Sequence, residues 1–138
     1  MIDTNVVISA FINPDGKPSQ IMKLVLSRRA ELFYTSAILC EYESVMLRPK
    51  FSGKIDSGSI QRFINLLRSI GTSYCLLPGI ARLPQASLPD ETDRIFYDTA
   101  VGSGSILVSG NIKHFPKEPF IMSPSDFMKQ IDCQLISW

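Results

Sequence analysis

The sequence lacks any apolar run long enough to cross a membrane, which excludes a membrane-spanning helix. Such a helix needs about 18 or more consecutive apolar residues, and the apolar stretches of this 138-residue chain are much shorter. The start also lacks a charged segment followed by an apolar one, so a secretory signal is not expected. We therefore expect a cytoplasmic protein that makes no use of a membrane.

The chain also has little net charge and few cysteines. The chain has 14 Lys and Arg against 13 Asp and Glu, so it has no overall basic field for nucleic acid, although a local basic patch can still bind it. Its cysteines, Cys40, Cys75 and Cys133, are odd in number and far apart, which gives no disulfide framework or metal-ligand spacing. We expect them to be buried thiols in a reducing cytosol.

What the sequence does have is enough apolar material, 45% of its residues, for the core of one domain over residues 1–138. Its patterns alternate between short strands and helices. Strands are predicted to end at Asp3 and to cover residues 32–35, 74–77, 105–109 and 119–122. Helices are predicted from Pro18 onward, from an N-cap at Ser36 as far as Pro49, and over residues 59–70, 94–101 and 124–131. The apolar run 5–12 fits either a strand or a buried helix.

This alternation predicts an α/β fold, a three-layer α/β/α sandwich around a central, mostly parallel sheet of about five strands. Ligands of such sheets bind beyond the carboxyl ends of the strands. Asp3 ends the first strand, while Glu41 and Asp93 lie early in helices on that same side. Three carboxylates can therefore meet at one sheet edge, and carboxylate oxygens are the ligands that hard divalent cations take.

Four segments that contain these acids resemble, in order and approximate spacing, the motifs of PIN-domain nucleases. The resemblance covers nearly the whole chain and is nearest to the branch of toxin components of toxin–antitoxin pairs, related to VapC-type toxins. The segments are residues 2–10 (IDTNVVISA), 36–42 with 45–51 (SAILCEY and VMLRPKF), 93–100 (DRIFYDTA) and 107–116 (LVSGNIKHFP).

The resemblance implies a ribonuclease that depends on Mg²⁺ or Mn²⁺, with Asp3, Glu41 and Asp93 as the catalytic, metal-binding acids. It also implies that Asn5 orients the first acid and that Ser109 offers a hydroxyl near the waters of the metal. The implied partners are an RNA substrate, a separate antitoxin protein and a second copy of the chain in a homodimer.

Two departures from the family pattern bear on the site. Many relatives have Asp at the fourth acidic place, where this chain has Asn111; an amide brings no charge, so metal affinity is expected to be lower or the site to hold one ion. Relatives also place several apolar residues before the first acid, whereas two precede Asp3. The first strand is therefore expected to be short.

Less specific interpretations exist for each of these residues. Asp3 can serve as an ordinary helix N-cap, Glu41 as a solvated helix residue, and Asp93 as favourable negative charge at a helix N-terminus. Asp90 is a candidate supporting residue. Lys113, His114, Arg48 and Lys50 are candidates for RNA binding, although a solvated charged surface explains basic residues equally well.

Two other functions remain open for the whole chain. One is a PIN-like module that is weak or inactive as an enzyme, because of Asn111, and that binds RNA or a protein partner. The other is a phospho-receiver domain, which is also α/β with an acidic edge. A receiver needs adjacent acids after its first strand, whereas Thr4 and Asn5 follow Asp3, so the sequence disfavours it.

Overall fold

The computed structural model of the protein describes residues 1–75, 88 and 90–136. Helices and very short strands alternate along these residues. The helices are α1 (Thr4–Ile12), α2 (Lys17–Leu26), α3 (Ser36–Met46), α4 (Ser57–Ile70), α5 (Arg94–Ser103) and α6 (Pro124–Ile136). The strands are β1 (Phe33–Tyr34), β2 (Thr72–Ser73), β3 (Leu107–Val108) and β4 (Ile121–Met122), and 3-10 turns span Pro49–Phe51, Glu91–Asp93 and Ile112–His114.

The strands pair in parallel, as the alternation of elements predicts. β1 pairs with β2, and β3 pairs with β4. The first residues of the chain run along the other edge of β3, where Ile2 forms a parallel bridge to Val108. The Asp3 N–H donates to the Val108 carbonyl at 2.9 Å, and the Val108 N–H donates to the Met1 carbonyl at 3.0 Å. β3 is therefore hydrogen-bonded on both sides, between the chain start and β4.

The α/β alternation and the parallel pairing are confirmed, but the extent of the sheet differs from the expectation. Within the described residues the ladders form two separate two-stranded pieces, not one five-stranded sheet. Each strand is only two residues long, so each contributes few backbone groups to a ladder. The strand predicted at 74–77 is found at Thr72–Ser73 instead, and residues 76 and 77 lie outside the described part.

The ambiguous apolar run after Asp3 forms helix α1. Asp3 has extended backbone angles, and its carbonyl accepts hydrogen bonds from the Val6 and Val7 N–H groups at 3.1 and 3.3 Å. Val6 and Val7 are buried, and the Phe11 ring packs edge-on against Phe63 of α4 with centroids 4.7 Å apart. The chain thus turns from extended backbone into a buried helix at Asp3, which places this carboxylate at the start of α1.

Helices α3 and α4 each begin at a side-chain cap. The N-cap of α3 is Thr35, whose hydroxyl oxygen accepts from the Ile38 N–H at 3.1 Å, so the prediction of Ser36 as the cap is wrong by one residue. Asp56 caps α4 by accepting from the Ser59 N–H at 3.0 Å. The apolar face of α4 packs into the core of this chain, which accounts for the burial of Ile60, Phe63, Ile64 and Leu67.

The cysteines do not match the expectation of buried thiols. Cys40, Cys75 and Cys133 are all exposed and unpaired with one another. Cys40 is exposed because it lies outside the buried face of α3. That face consists of Ile38, Leu39, Tyr42, Val45 and Met46. No helix within the described ranges is long and apolar enough to cross a membrane.

Candidate active site

The centre of the candidate site is the side chain of Asp3, which is only 6% exposed. The first residues of the chain pair in parallel with β3. This pairing brings Asp3 beside Ser109, the residue that follows β3. The Ser109 hydroxyl, which is fully buried, donates to Asp3 Oδ2 at 2.7 Å. This contact joins residues that are 106 positions apart and gives the buried carboxylate one strong hydrogen-bond donor.

Burial raises the pKa of the Asp3 carboxyl above its ordinary value of 3.8, because desolvation disfavours the charged form. The hydrogen bonds from Ser109 and from the Thr4 backbone oppose this rise, and so does the nearby His114. Desolvation is the largest of these effects. The fold therefore holds a carboxylate whose negative charge is only partly compensated by its protein neighbours.

Asp93 supplies a second carboxylate to the same place from the turn Glu91–Asp93, which leads into α5. Burial raises the pKa of Asp93, and the charges of Asp3 and Asp90 raise it further. The influence of Asp3 shows that the two carboxylates are close enough to repel each other. The structure thus brings together two of the three acids that the resemblance assigns to metal binding.

The neighbouring acids of the same segment have different roles. The Asp90 carboxylate accepts from the Thr92 N–H at 2.9 Å, and this backbone hydrogen bond lowers the pKa of Asp90. Asp90 therefore caps the turn that carries Asp93 and adds negative charge beside it, and its supporting role stays a prediction. Glu91 pairs with Arg94, with Oε2 and Nε 2.6 Å apart, on the exposed side of the turn.

A loop after β3 closes the other side of the site. The Asn111 N–H donates to the Ser109 hydroxyl oxygen at 3.0 Å, and Asn111 Nδ2 lies 3.2 Å from His114 Nε2. The other ring nitrogen of His114, Nδ1, lies 3.5 Å from Asp93 Oδ2. A continuous series of polar contacts therefore runs from Asp3 through the loop to Asp93.

Glu41, the remaining predicted acid, is exposed on α3. The next residue, Tyr42, is fully buried and donates from its hydroxyl to the Ile2 carbonyl, which anchors α3 beside the segment that ends in Asp3. Burial raises the pKa of Tyr42, and the negative charge of Asp3 adds to that rise. The Tyr42 side chain thus ties α3 to the segment that ends in Asp3, while a metal-binding role of the Glu41 side chain stays a prediction.

Two carboxylates of the site could hold a divalent cation, although no three of the described His, Cys, Asp and Glu side chains are grouped closely enough to hold one. Mg²⁺ keeps several waters and is usually held by only one or two carboxylates. Asp3 and Asp93 provide two carboxylates whose pKa values are raised by burial and by negative charge. A divalent cation between them would relieve both effects.

The remaining predicted residues lie at the surface. Asn5 is exposed in the first turn of α1, and Lys113 is exposed in the turn Ile112–His114. Arg48 and Lys50 are exposed at the turn Pro49–Phe51, where Lys50 Nζ lies 4.9 Å from the centre of the Phe51 ring. These positions are accessible to a nucleic acid, and their roles stay predictions.

Two contacts of the site are not among the predictions from the sequence. Tyr42 lies on the buried face of α3, and the sequence contains no signal that its hydroxyl bonds to Ile2. The link from Asn111 through His114 to Asp93 did have a signal. The spacing of three residues between Asn111 and His114 places both side chains on one side of a 3-10 turn.

A family model and a relative from the comparisons with known proteins each match most of this chain. The family model described as PIN domain matches residues 1–113, which includes Asp3, Glu41, Asp93, Ser109 and Asn111. An uncharacterized protein of Methanocaldococcus jannaschii is 29% identical over 111 residues, which cover 80% of this chain and 69% of that protein.

Proposed function

This chain belongs to the PIN domain family, and we propose on that basis that it is a metal-dependent endoribonuclease that hydrolyses RNA phosphodiester bonds. PIN domains are generally nucleases. The observation that best supports an active site in this member is the series of polar contacts that links Asp3, through Ser109, Asn111 and His114, to Asp93, which lies 90 positions further along the sequence (93 minus 3). The charge of Asp3 raises the pKa of the partly buried Asp93, and cation binding is the usual reason for a fold to keep carboxylates that repel each other.

Asp3 and Asp93 would hold the ion, with Glu41 as the third acid at the edge of the site. When bound, Mg²⁺ or Mn²⁺ polarises the scissile phosphate and lowers the pKa of a water that attacks it. The Ser109 hydroxyl holds Asp3 in place through its 2.7 Å hydrogen bond. Asp90 and Asp93 add negative charge that repels RNA unless a cation neutralises it, so the protein without metal should bind substrate poorly.

We further propose that the exposed basic residues Lys113, Arg48 and Lys50 contact the RNA backbone. Phosphate contacts of this kind position a nucleic acid without selecting its sequence. The cellular role proposed from the resemblance is that of a cytoplasmic toxin paired with an antitoxin protein, in a homodimer. Large apolar side chains exposed to such partners among the described residues are Ile12, Leu26, Leu47, Leu66 and Ile112.

We also propose that the two parallel ladders and the bridge at Ile2 belong to one mostly parallel sheet between helical layers. The hydrogen bonds on both sides of β3 support this arrangement, because they already join the chain start, β3 and β4 side by side. Hydrogen exchange of backbone amides would test it, since the amides of a continuous central sheet exchange together and most slowly.

Cleavage of RNA in the presence of Mg²⁺ or Mn²⁺ tests the proposed activity. Single-stranded and structured RNAs labelled at one end are incubated with the protein, with each metal and with excess chelator. We expect metal-dependent internal cleavage that Asp93→Asn reduces strongly and that Asp132→Asn, a change at an exposed acid of α6, leaves intact. Equal cleavage by the wild type and Asp93→Asn would overturn the assigned mechanism.

A non-catalytic PIN-like module is the second candidate, and specific observations favour it. Residue 111 carries no charge, and Glu41 is exposed rather than enclosed with the other two acids. Calorimetric titration with Mn²⁺ separates the two candidates. Saturable binding that Asp3→Asn abolishes supports the nuclease, and the lack of saturable binding up to millimolar Mn²⁺ supports the module.

A further inference from the structure

The loop that follows β3 places Asn111 and His114 side by side. A 3-10 turn spans Ile112–His114, and the His114 N–H donates to the Asn111 carbonyl at 3.0 Å. Side chains three residues apart lie on the same side of such a turn, because it has three residues per turn. Asn111 Nδ2 consequently lies 3.2 Å from His114 Nε2. On the other side of the ring, Asp93 Oδ2 lies 3.5 Å from His114 Nδ1.

These two neighbours determine where a neutral imidazole carries its proton. A neutral histidine ring has one nitrogen that donates and one that accepts, and the amide nitrogen of an asparagine can only donate. His114 Nε2 must therefore accept from Asn111, which leaves the ring proton on Nδ1. That proton is directed at the Asp93 carboxylate, a pure acceptor when ionised.

We propose that Asn111 and His114 are positioning residues for Asp93. Asn111 fixes the tautomer of the His114 ring, and His114 donates a hydrogen bond from Nδ1 to the Asp93 carboxylate. The same loop also reaches the first acid, because the Asn111 N–H donates to Ser109 and Ser109 donates to Asp3. The catalytic consequence of this arrangement rests on the proposed nuclease function, whereas the tautomer itself does not.

The proposal gives a physical reason for the neutral residue at position 111. An aspartate there could only accept a hydrogen bond, so Nε2 would have to carry the ring proton. The neutral ring would then turn the lone pair of Nδ1 toward the negative Asp93 carboxylate, which is unfavourable. Asn111 therefore acts toward His114, and it need not be a weakened fourth metal ligand.

Nitrogen NMR of the ring tests the tautomer without any assay of activity. His114 is the chain's single histidine, so protein made with ¹⁵N-labelled histidine contains one labelled ring. Two-bond and three-bond couplings distinguish Nδ1–H from Nε2–H once the pH has been raised until the ring signals stop changing. We expect Nδ1–H in the metal-free wild type and a shift toward Nε2–H, the form favoured by free imidazole side chains, in Asn111→Ala.

The matched control is Lys113→Ala, which changes an exposed residue of the same turn and should leave the tautomer at Nδ1–H. Asn111 is exposed, so its replacement is not expected to unfold the protein, and circular dichroism checks this. A wild-type ring that carries its proton on Nε2, or an unchanged tautomer in Asn111→Ala, would overturn the proposal.

Rescue by conservative variants tests the positioning role. The amide of asparagine can place a donor near the position of Nδ1–H, whereas the amide of glutamine reaches toward the position of Nε2. Partners of metal-binding side chains typically contribute roughly 10- to 100-fold in metal affinity or activity. We expect His114→Gln to lose metal affinity and kcat in that range with little change in KM for RNA, and His114→Asn to recover most of the loss.

The two readouts separate this inference from the proposed function. If the tautomer is Nδ1–H and depends on Asn111 but no RNA is cleaved, the nuclease proposal fails and the contact of His114 with Asp93 stands. If RNA is cleaved but the ring carries its proton on Nε2, the nuclease proposal stands and the positioning role is wrong. Equal losses in His114→Gln and His114→Asn would likewise contradict the positioning role.

Discussion

Asp3 and Glu41 differ in how the fold holds them. Asp3 is 6% exposed, follows a backbone ladder and accepts a hydrogen bond from a buried serine. Glu41 is exposed on α3, and the helix is anchored near the site by the next residue, Tyr42. A carboxylate at a strand end is placed by the backbone itself, whereas a glutamate on a helix has several rotatable bonds between its backbone and the site. The first is rigid before any ligand binds, and the second can adjust to one.

Replacing Asp3 should have the largest effect, if the rigid carboxylate is the principal ligand. Asp3→Asn keeps the shape of the side chain but removes its charge, so we expect a loss of roughly 10²- to 10³-fold in kcat/KM for RNA, the range typical of losing one electrostatic contact in a transition state. Cleavage kinetics at saturating Mn²⁺ measure it. A decrease of less than about 10-fold would remove Asp3 from the centre of the mechanism.

Glu41→Gln should have a smaller effect that depends on metal concentration. A flexible, exposed ligand that acts partly through metal-bound water should contribute roughly 10- to 100-fold, and extra Mg²⁺ should recover part of the loss. The control is Glu43→Gln, two residues further along α3. If Glu41→Gln and Glu43→Gln both cleave RNA as fast as the wild type at every Mg²⁺ concentration, Glu41 is a solvated surface residue. Asp3 and Glu41 would then differ in function and not only in rigidity.

Ser109→Ala tests whether the fixed position of the Asp3 carboxylate depends on its hydrogen bond with Ser109. The variant leaves a buried carboxylate without its side-chain donor, and hydrogen bonds to charged groups contribute about 1.5–3 kcal/mol. We expect the free energy of unfolding to fall by about that amount, as measured by urea denaturation at neutral pH. Ser52→Ala, at an exposed serine, is the control. Equal stability of Ser109→Ala and the wild type would mean that Asp3 is held by the ladder alone.

The pH dependence of stability should show the smallest effect. Burial raises the pKa of Asp3 above 3.8, so the folded state binds the proton more tightly than the unfolded state. The resulting stabilisation is present below the unfolded value and is lost as pH rises through the folded value. The metal-free wild type should therefore lose stability over that interval, and Asp3→Asn should lose less.

Thermal unfolding across acidic to neutral pH measures this difference, which should amount to a few degrees in Tm. Saturating Mg²⁺ should raise the Tm of the wild type at neutral pH more than that of Asp3→Asn, because only a ligand that binds the folded state stabilises it. If Tm changes with pH in the same way in the wild type and in Asp3→Asn, both with and without Mg²⁺, the Asp3 carboxylate does not carry an uncompensated charge.

The parts of the site that could be predicted are those fixed by backbone pairing. Asp3 and Ser109 both end segments of parallel backbone, so their encounter follows from strand order once β3 is recognised. Asp93 lies at the end of a capped turn that leads into α5, and its role at the site stays a prediction. In each case a regular backbone rule, and not a side-chain rotamer, decides where the residue lies.

The features that were not predicted depend on choices that local patterns leave open. The run 5–12 is apolar on all sides, so period alone could not show that it is a helix. Thr35 and Ser36 are both good caps, and only the structure decides between them. The cysteines were expected inside because thiols often are, although the buried face of α3, defined by residues 38, 39, 42, 45 and 46, already leaves Cys40 and Glu41 outside it.

The hydrogen bond between Ser109 and Asp3 has a consequence for the order of events during synthesis. A ribosome releases the N-terminal end first, and the two partners are separated by 106 positions. At about 5–20 residues per second, roughly 5–20 s pass between the translation of one and the translation of the other. The nascent chain therefore carries Asp3 without the hydrogen-bond partner that orders it until β3 and Ser109 have been translated, so the site forms late in synthesis.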